Sequence, residues 1–343
     1  MRITFAVPDS MHAVRGGMKR IAEYASRLAK RGHDVVILSP DKDVPEWLAS
    51  YRGTYKLANI EGYRHFETDV AIATGGRAAR RIARMVRAKV KAYSVVMLES
   101  LNKPTEKHGQ IIDRDRFLRD PYKQNWLYYA NSSWLKAAVE TKFGQKCHLV
   151  LAPSNEKMKP AAKFKPLDKL WALGYGHGDW KGAQRTADAV SLAKKTIRNL
   201  EMIHYSSRGM PSSRVIVKHW SKPTIEVLAS IYSSADIFVH SSRFEGFANT
   251  CAEALSCGTP VVTYRTPGIE DIVIHGQTGI IVDQFEPIYM ARAIVHTLTK
   301  KDLYLKLQEN ALRHMAQFTW DRTLSILEGM FQEALDEYRG RHG

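Results

Sequence analysis

Cysteine is scarce in this 343-residue chain. Cys147, Cys251 and Cys257 are odd in number and none stands in C-x-x-C spacing, so the sequence suggests neither a disulfide framework nor a zinc site. Long apolar runs are also missing. Ile3 to Val7 is interrupted by Pro8 and Asp9, far short of a secretory core, and no apolar stretch reaches the roughly 18 residues of a spanning helix. A cytoplasmic protein without a membrane-spanning anchor is expected. Low-complexity tracts and short-period repeats are absent, and 44% hydrophobic with 25% charged residues is the balance of a globular chain. Acidic side chains are few where basic ones abound: residues 1–160 hold 29 basic against 16 acidic, a net +13, whereas the remainder is close to neutral at +3. The N-terminal half is therefore expected to meet something anionic, such as a phospholipid surface, a phosphorylated glycan or nucleic acid.

Strand and helix patterns alternate along both halves, as a parallel sheet with crossover helices requires. In the first half, strands are expected at Arg2 to Val7 and Asp34 to Ser39, and near Val70 to Ala73, Val95 to Leu98 and Trp126 to Ala130. An amphipathic helix starts near Met18 and stops at Gly32. A basic, proline-bearing stretch then breaks the periodicity, after which the alternation restarts at Leu170. This predicts two doubly wound α/β domains facing a central cleft: residues 1–152, a linker at 153–168, a second domain at 169–317, and a closing amphipathic helix at 318–343.

The richest segment runs from Arg243 through Glu245-Gly-Phe-Ala-Asn249-Thr250 to Glu253 and on to Cys257-Gly-Thr-Pro260. It follows a strand and enters a helix, at the sheet edge where such folds bind ligands. Gly246 permits close approach of backbone to ligand. The helix beginning near Asn249 points unpaired N–H groups and its positive dipole end at an anion, as a diphosphate requires. Glu253 lies about 6 Å further along that helix axis. Two carboxylates beside one anion site repel a phosphate but accept hydrogen bonds from hydroxyls, which points to sugar and ribose.

On these residues the chain resembles the retaining nucleotide-sugar glycosyltransferases of the GT-B fold, the group 1 or family 4 type, whose E-x7-E motif matches Glu245 and Glu253. The Gly16-Gly17 loop, the Arg31-Gly32-His33-Asp34 turn, Lys181-Gly182, the Gly276-Gln-Thr-Gly279 turn and the Phe318-Thr-Trp320-Asp321 helix start stand in the family's order. The resemblance implies that Glu245 and the amides of Gly246, Phe247 and Ala248 grip the donor sugar. It further implies that Asn249 and Thr250 hold the diphosphate, Glu253 the ribose, and Lys181 the leaving charge, while Gly16 and Gly17 let a loop close over the phosphates. The donor would be a nucleoside diphosphate sugar, a UDP-sugar first among them, with no metal and no other cofactor. The final helix would cross back onto the N-terminal domain.

Two departures stand out. No arginine precedes Lys181 in Gly174-Tyr-Gly-His177-Gly-Asp-Trp180, which leaves Arg208 or Arg243 to compensate. Glu99 stands where relatives often carry a histidine on the sugar side, and a contact of Glu99 with sugar or acceptor is the corresponding expectation. Other features read as ordinary structure. Asp113-Arg-Asp115 imitates a metal-binding D-x-D but sits in a charge-dense loop, His12 is incidental, and Gly174-x-Gly176-x-Gly178 lacks dinucleotide-binding spacing. His177 and Trp220 remain open between a donor contact and plain structure.

From Arg77 to Lys91 a helix is expected, with Arg77, Arg80, Arg81, Arg84 and Arg87 or Lys91 on one face and Ile82, Val86 and Val90 on another. The arginine stripe would form an anion-binding surface on the acceptor side. Three functions follow: transfer to a membrane-associated or envelope glycan by a protein peripheral to the inner membrane face; transfer to a modified base in DNA; and a sugar-nucleotide epimerase or non-catalytic binder of the same fold.

Overall fold

Runs of β-branched residues bounded by glycine, and amphipathic stretches between them, become strands and crossover helices in the computed structural model. It describes residues 1–7, 11, 16–41, 45–51, 54–59, 66–98, 106–107, 110–111 and 120–342. The chain divides into two compact units, Met1–Leu151 with Asp321–Gly343, and Ala152–Trp320.

In the first unit the strands are β1 (Arg2–Ala6), β2 (Asp34–Ser39), β3 (Lys56–Asn59), β4 (Phe66–Ala73), β5 (Val86–Val95), β6 (Glu106–Lys107), β7 (Gln110–Ile111), β8 (Leu127–Ala130) and β9 (Cys147–Leu149). Seven form one sheet in the order β3-β2-β1-β4-β5-β8-β9, every neighbouring pair parallel, while β6 and β7 make a separate antiparallel pair. The helices are α1 (Gly16–Lys30), α2 (Gly76–Met85) and α3 (Ser133–Phe143). Ala78, Ala79 and Ile82 of α2 and Leu135 and Val139 of α3 pack with Val36, Leu38, Val95 and Tyr128 of the sheet in one core. Removing such apolar surface from water is the main force holding these layers together.

The expected helix from Arg77 to Lys91 is corrected here. α2 stops at Met85, and Val86 begins β5, which pairs with β4 from Phe66↔Val86 to Ala73↔Tyr93. Ile82, Val86 and Val90 are four apart, and that spacing fits a helix face and a strand face alike. Two further features decide for strand: β-branched Val86 and Val90 are buried, and Arg87 and Lys89 between them are exposed. Arg87 lies 3.9 Å from Glu67 and Lys89 2.8 Å from Asp69 on the neighbouring strand. Lys91 is half-buried, and burial lowers its pKa. The stripe therefore does not continue through Arg87. Arg80 is half-buried on α2, and the side chains of Arg77, Arg81 and Arg84 lie outside the described residues.

In the second unit the strands are β10 (Leu170–Tyr175), β11 (Leu200–Ser206), β12 (Ile216–Ser221), β13 (Ile237–His240), β14 (Val261–Tyr264) and β15 (Gly279–Val282), in the order β12-β11-β10-β13-β14-β15, again all parallel. The helices are α4 (Gly178–Lys181), α5 (Ala183–Lys194), α6 (Ile225–Ser234), α7 (Asn249–Ser256), α8 (Pro287–Thr299), α9 (Lys301–Met315) and α10 (Trp320–His342). Ala187, Val190 and Ala193 of α5 and Met290, Ala291 and Ile294 of α8 share a core with Ala172, Met202, Val239 and Val262. Strand order reverses between β10 and β13, so the loops leaving these two strands open beside one another. Such a switch point is where doubly wound sheets bind ligands.

From Asp321 onward α10 belongs to the first unit. Leu324, Leu327, Phe331 and Leu335 are buried along one face, with Phe331 edge-on to Tyr129. Arg31 and His33, from the turn into β2, both reach Glu328, at 2.7 and 2.9 Å. Thr323 donates to the Leu151 carbonyl at 2.9 Å. The Arg31-Gly32-His33 turn thus anchors the last helix, a role its sequence did not announce.

Candidate functional site

The loop after β10 and the loop after β13 carry the two residues singled out from the sequence, Lys181 and Glu245. They are 64 positions apart in the chain, yet Lys181 Nζ donates to Glu245 Oε1 at 2.6 Å. Local geometry explains the approach. Gly182 takes φ +65°, ending α4 one residue after Lys181, and a Cβ there would collide with the Ser241 carbonyl oxygen. Only glycine lets the first loop lie so close to the second. Trp180 packs edge-on against Phe244 with ring centroids 3.7 Å apart, and the Arg243 amide donates to the Trp180 carbonyl at 3.1 Å. Asp179 holds Arg185 at 3.3 Å and Arg243 at 3.0 Å, tying the same loops by charge.

Glu245 is buried and has a second partner that the sequence reading missed: His240, the last residue of β13, whose Nε2 lies 3.4 Å from the same carboxylate oxygen. His240 Nδ1 sits 3.1 Å from Thr263 Oγ1, and the Thr263 hydroxyl donates to the Tyr264 carbonyl, so both ring nitrogens face oxygens that can accept. Burial alone pushes the Glu245 pKa up. The hydrogen bond from His240 and the charge of Lys181 outweigh it and hold the carboxyl down at about 2. The carboxylate is thus fixed in its acceptor form, and its side chain is 11% exposed against 26% for Lys181. Lys181 Nζ also stands over the Tyr175 ring, 5.6 Å from its centroid.

Glu253 lies one turn into α7, half-buried. Its Oε2 accepts from the Tyr232 hydroxyl at 3.1 Å, and Tyr232 in turn meets the Tyr205 hydroxyl. Burial raises the pKa of both phenols well above the ordinary value, so they remain neutral donors that orient the carboxylate. The sequence analysis does not single out Tyr232. Nothing in the pattern pairs it with Glu253 until the sheet order is known.

The helix start lies where the sequence placed it, with one difference in its amides. α7 begins at Asn249, has no side-chain cap and no acidic residue in its first turn, and so presents a positive dipole end. Asn249 is exposed and Thr250 half-buried in the first turn of α7. The Ala248 amide, however, donates to the Gly268 carbonyl at 3.1 Å, and the Asn249 amide to the Phe247 carbonyl at 2.8 Å. Those two N–H groups already serve the loop fold. Phe247 is buried with its ring 6.3 Å from Phe318, a packing role, and Gly246 is buried beside Glu245.

Gly16 and Gly17 open α1 in the first unit, and a Cβ at Gly17 would meet nothing within 4 Å, so packing alone does not demand glycine there. Glu99, His12, Asp113 and Asp115 lie outside the described residues. Arg243, expected as a possible phosphate partner, is engaged with Asp179, while Arg208 is exposed. His177 stands at the N-terminal boundary of α4 without a capping side-chain hydrogen bond and is exposed; Trp220 packs on Phe164 with centroids 5.7 Å apart. Among the described residues no helix is long and apolar enough to cross a membrane.

Comparison with known proteins bears on residues 214–314 and on the fold. Residues 214–314 match the family model of Glycosyl transferases group 1. The chain is similar to the D-inositol 3-phosphate glycosyltransferase of Thermobispora bispora, 35% identical over 109 residues, which are 32% of this chain and 26% of that protein. The similarity to the Salinispora tropica protein of the same name is 34% over 114 residues, or 33% and 24%. The chain thus spans about a quarter of the length of these curated relatives. Solved structures match almost end to end at low identity. TarM superposes with a TM-score of 0.77 at 10% identity, covering 96% of this chain and 99% of that one. Sucrose-phosphate synthase from Thermosynechococcus elongatus gives 0.74 at 14%, covering 98% and 100%. Anabaena Alr3699/HepE in complex with UDP-glucose gives 0.71 at 14%, covering 99% and 100%. The chain has the GT-B fold, and its residues 214–314 are similar to the glycosyl transferases group 1 family.

Proposed function

We propose that this chain is a retaining, metal-independent glycosyltransferase that moves a sugar from a nucleoside diphosphate donor, UDP-linked, to an acceptor hydroxyl. The observation that carries the reading is the Lys181–Glu245–His240 cluster at the switch point of the second sheet, beside the uncapped N-terminus of α7 and Glu253. The group 1 match over 214–314 and the likeness to HepE with UDP-glucose support the donor class.

Each side chain then has a task. Lys181 stabilises negative charge that grows on the leaving phosphate, and the first turn of α7, with Asn249 and Thr250, holds the diphosphate. Glu245, ionised and fixed by two partners, accepts hydrogen bonds from donor-sugar hydroxyls; Glu253, oriented by Tyr232, accepts from the ribose. The acceptor hydroxyl attacks on the face from which the diphosphate departs, and the leaving phosphate oxygen takes the proton, so the anomeric configuration is kept. No protein base is required, and alignment of the reactants supplies much of the rate. The net +13 of residues 1–160 favours an anionic, membrane-associated or envelope glycan as acceptor.

The test is to incubate the protein with a panel of UDP-, GDP- and ADP-sugars, with and without a membrane glycolipid extract. Nucleoside diphosphate release and the anomeric configuration of the product, by NMR, are the readouts. Acceptor-dependent release with retention supports the reading. An inverted product removes the retaining mechanism, and a changed sugar without release turns the assignment to an epimerase.

A further inference from the structure

The fully exposed Leu167 and the 41% exposed Phe164 stand three residues apart in the segment leading into β10. The Phe164 ring does not dangle. It lies 5.7 Å from Trp171 and 5.7 Å from Trp220 on the edge strand β12, and its own amide is fixed by Ser234 Oγ at 3.0 Å. Lys218 Nζ stands 5.2 Å from the Phe164 ring and 4.8 Å from the Trp220 ring. The result is a rigid aromatic ledge, edged by a cation, with an apolar side chain beyond it in water.

The charges around the ledge are uneven. From Glu156 to Lys169 the sequence has five lysines against Glu156 and Asp168. Lys157, Lys165 and Lys169 are engaged with Glu226, Asp236 and Glu201. Lys159, Lys163 and Lys218 are exposed and make no ion pair among the described residues. Apolar tips set among unpaired lysines match the boundary of a bilayer, where acyl chains receive the apolar groups and anionic headgroups receive the cations.

We infer that this ledge is a membrane-docking surface of the second unit, with Phe164 and Leu167 entering the headgroup boundary of an anionic bilayer and Lys159, Lys163 and Lys218 pairing with its phosphates. It is distinct from the arginines of α2, which ends at Met85. The inference is independent of the donor site, since none of its residues touches Lys181, Glu245 or Glu253.

Flotation of the full chain with large vesicles tests it, using phosphatidylcholine alone and phosphatidylcholine with 30% phosphatidylglycerol. Binding is expected only to the anionic vesicles and is expected to weaken with salt. Leu167→Ser together with Phe164→Ser should lower the partition coefficient about tenfold or more, and Lys163→Glu about fivefold or more. Leu167→Ser alone, at a fully exposed position, serves as the variant that keeps the fold, and UDP binding measured on each variant separates this surface from the donor site. Failure of the wild type to float with anionic vesicles overturns the inference. So does wild-type flotation of the Leu167 and Lys163 variants, which would assign binding to another surface.

Discussion

Replacing Glu245 by glutamine keeps the size of the side chain and removes its charge, and the consequence for stability has a definite shape in pH. In the folded chain the carboxyl is held at about 2, against an ordinary value of 4.5. Its folded-state pKa is depressed, so its contribution is present in full above pH 4.5 and is lost as pH falls towards 2. The difference corresponds to about 3 kcal/mol at neutral pH, of which a little under half is already gone at pH 3.5. Denaturant melts of wild type and Glu245→Gln between pH 3 and pH 7 provide the assay. All other carboxyls are common to both proteins and cancel in the difference. The gap between the curves should therefore narrow by about 1 kcal/mol from pH 7 to pH 3.5. In a Lys181→Met background the narrowing should shrink, because one of the two partners holding the carboxylate is gone. Parallel curves across the range would refute the reasoning, since they would mean that Glu245 is not ionised against Lys181 and His240 in the folded state.

Tyr232→Phe removes the hydroxyl that orients Glu253, and UDP affinity measured by calorimetry should fall about five- to tenfold. A change in affinity below twofold would leave Tyr232 a core residue only. Gly182→Ala forces a Cβ against the Ser241 carbonyl at φ +65° and should cost about 1–3 kcal/mol, read as a drop in melting temperature of several degrees. Glu328→Ala removes the shared partner of Arg31 and His33 and should cost about 1–2 kcal/mol, with earlier proteolytic clipping within 320–342. An unchanged cleavage rate would show that apolar burial alone holds α10.

The sequence makes the two parallel sheets readable because their central strands are short β-branched runs, such as Val35 to Leu38 and Val261 to Thr263, that stop at polar or glycine positions. Where the period was ambiguous the reading failed. Ile82, Val86 and Val90 fit a helix and a strand equally, and only the burial of alternate residues from Val86 onward separates them. β3 and β9, with four and three residues, are too short to show a pattern of their own. Glu245, Glu253 and Lys181 were legible because glycine, small residues and carboxylates recur at fixed offsets around a helix start. Their partners His240, Thr263, Tyr205 and Tyr232 were not, since each reads as an ordinary strand or helix residue. Only the strand order, bringing β11, β13 and β14 to one edge, joins them. The engagement of the Ala248 amide with Gly268 is likewise a loop-to-loop contact, 20 positions apart in the chain, that local spacing does not encode.

Calorimetric titration of the full chain with a UDP-sugar, alongside Glu245→Gln and Glu253→Gln, tests the central claim most directly. The account predicts a one-to-one complex with wild type, weakened about tenfold or more by either substitution as the buried hydroxyl partners are lost. Binding of equal strength in all three proteins, or no binding of any nucleotide sugar to the wild type, would contradict it.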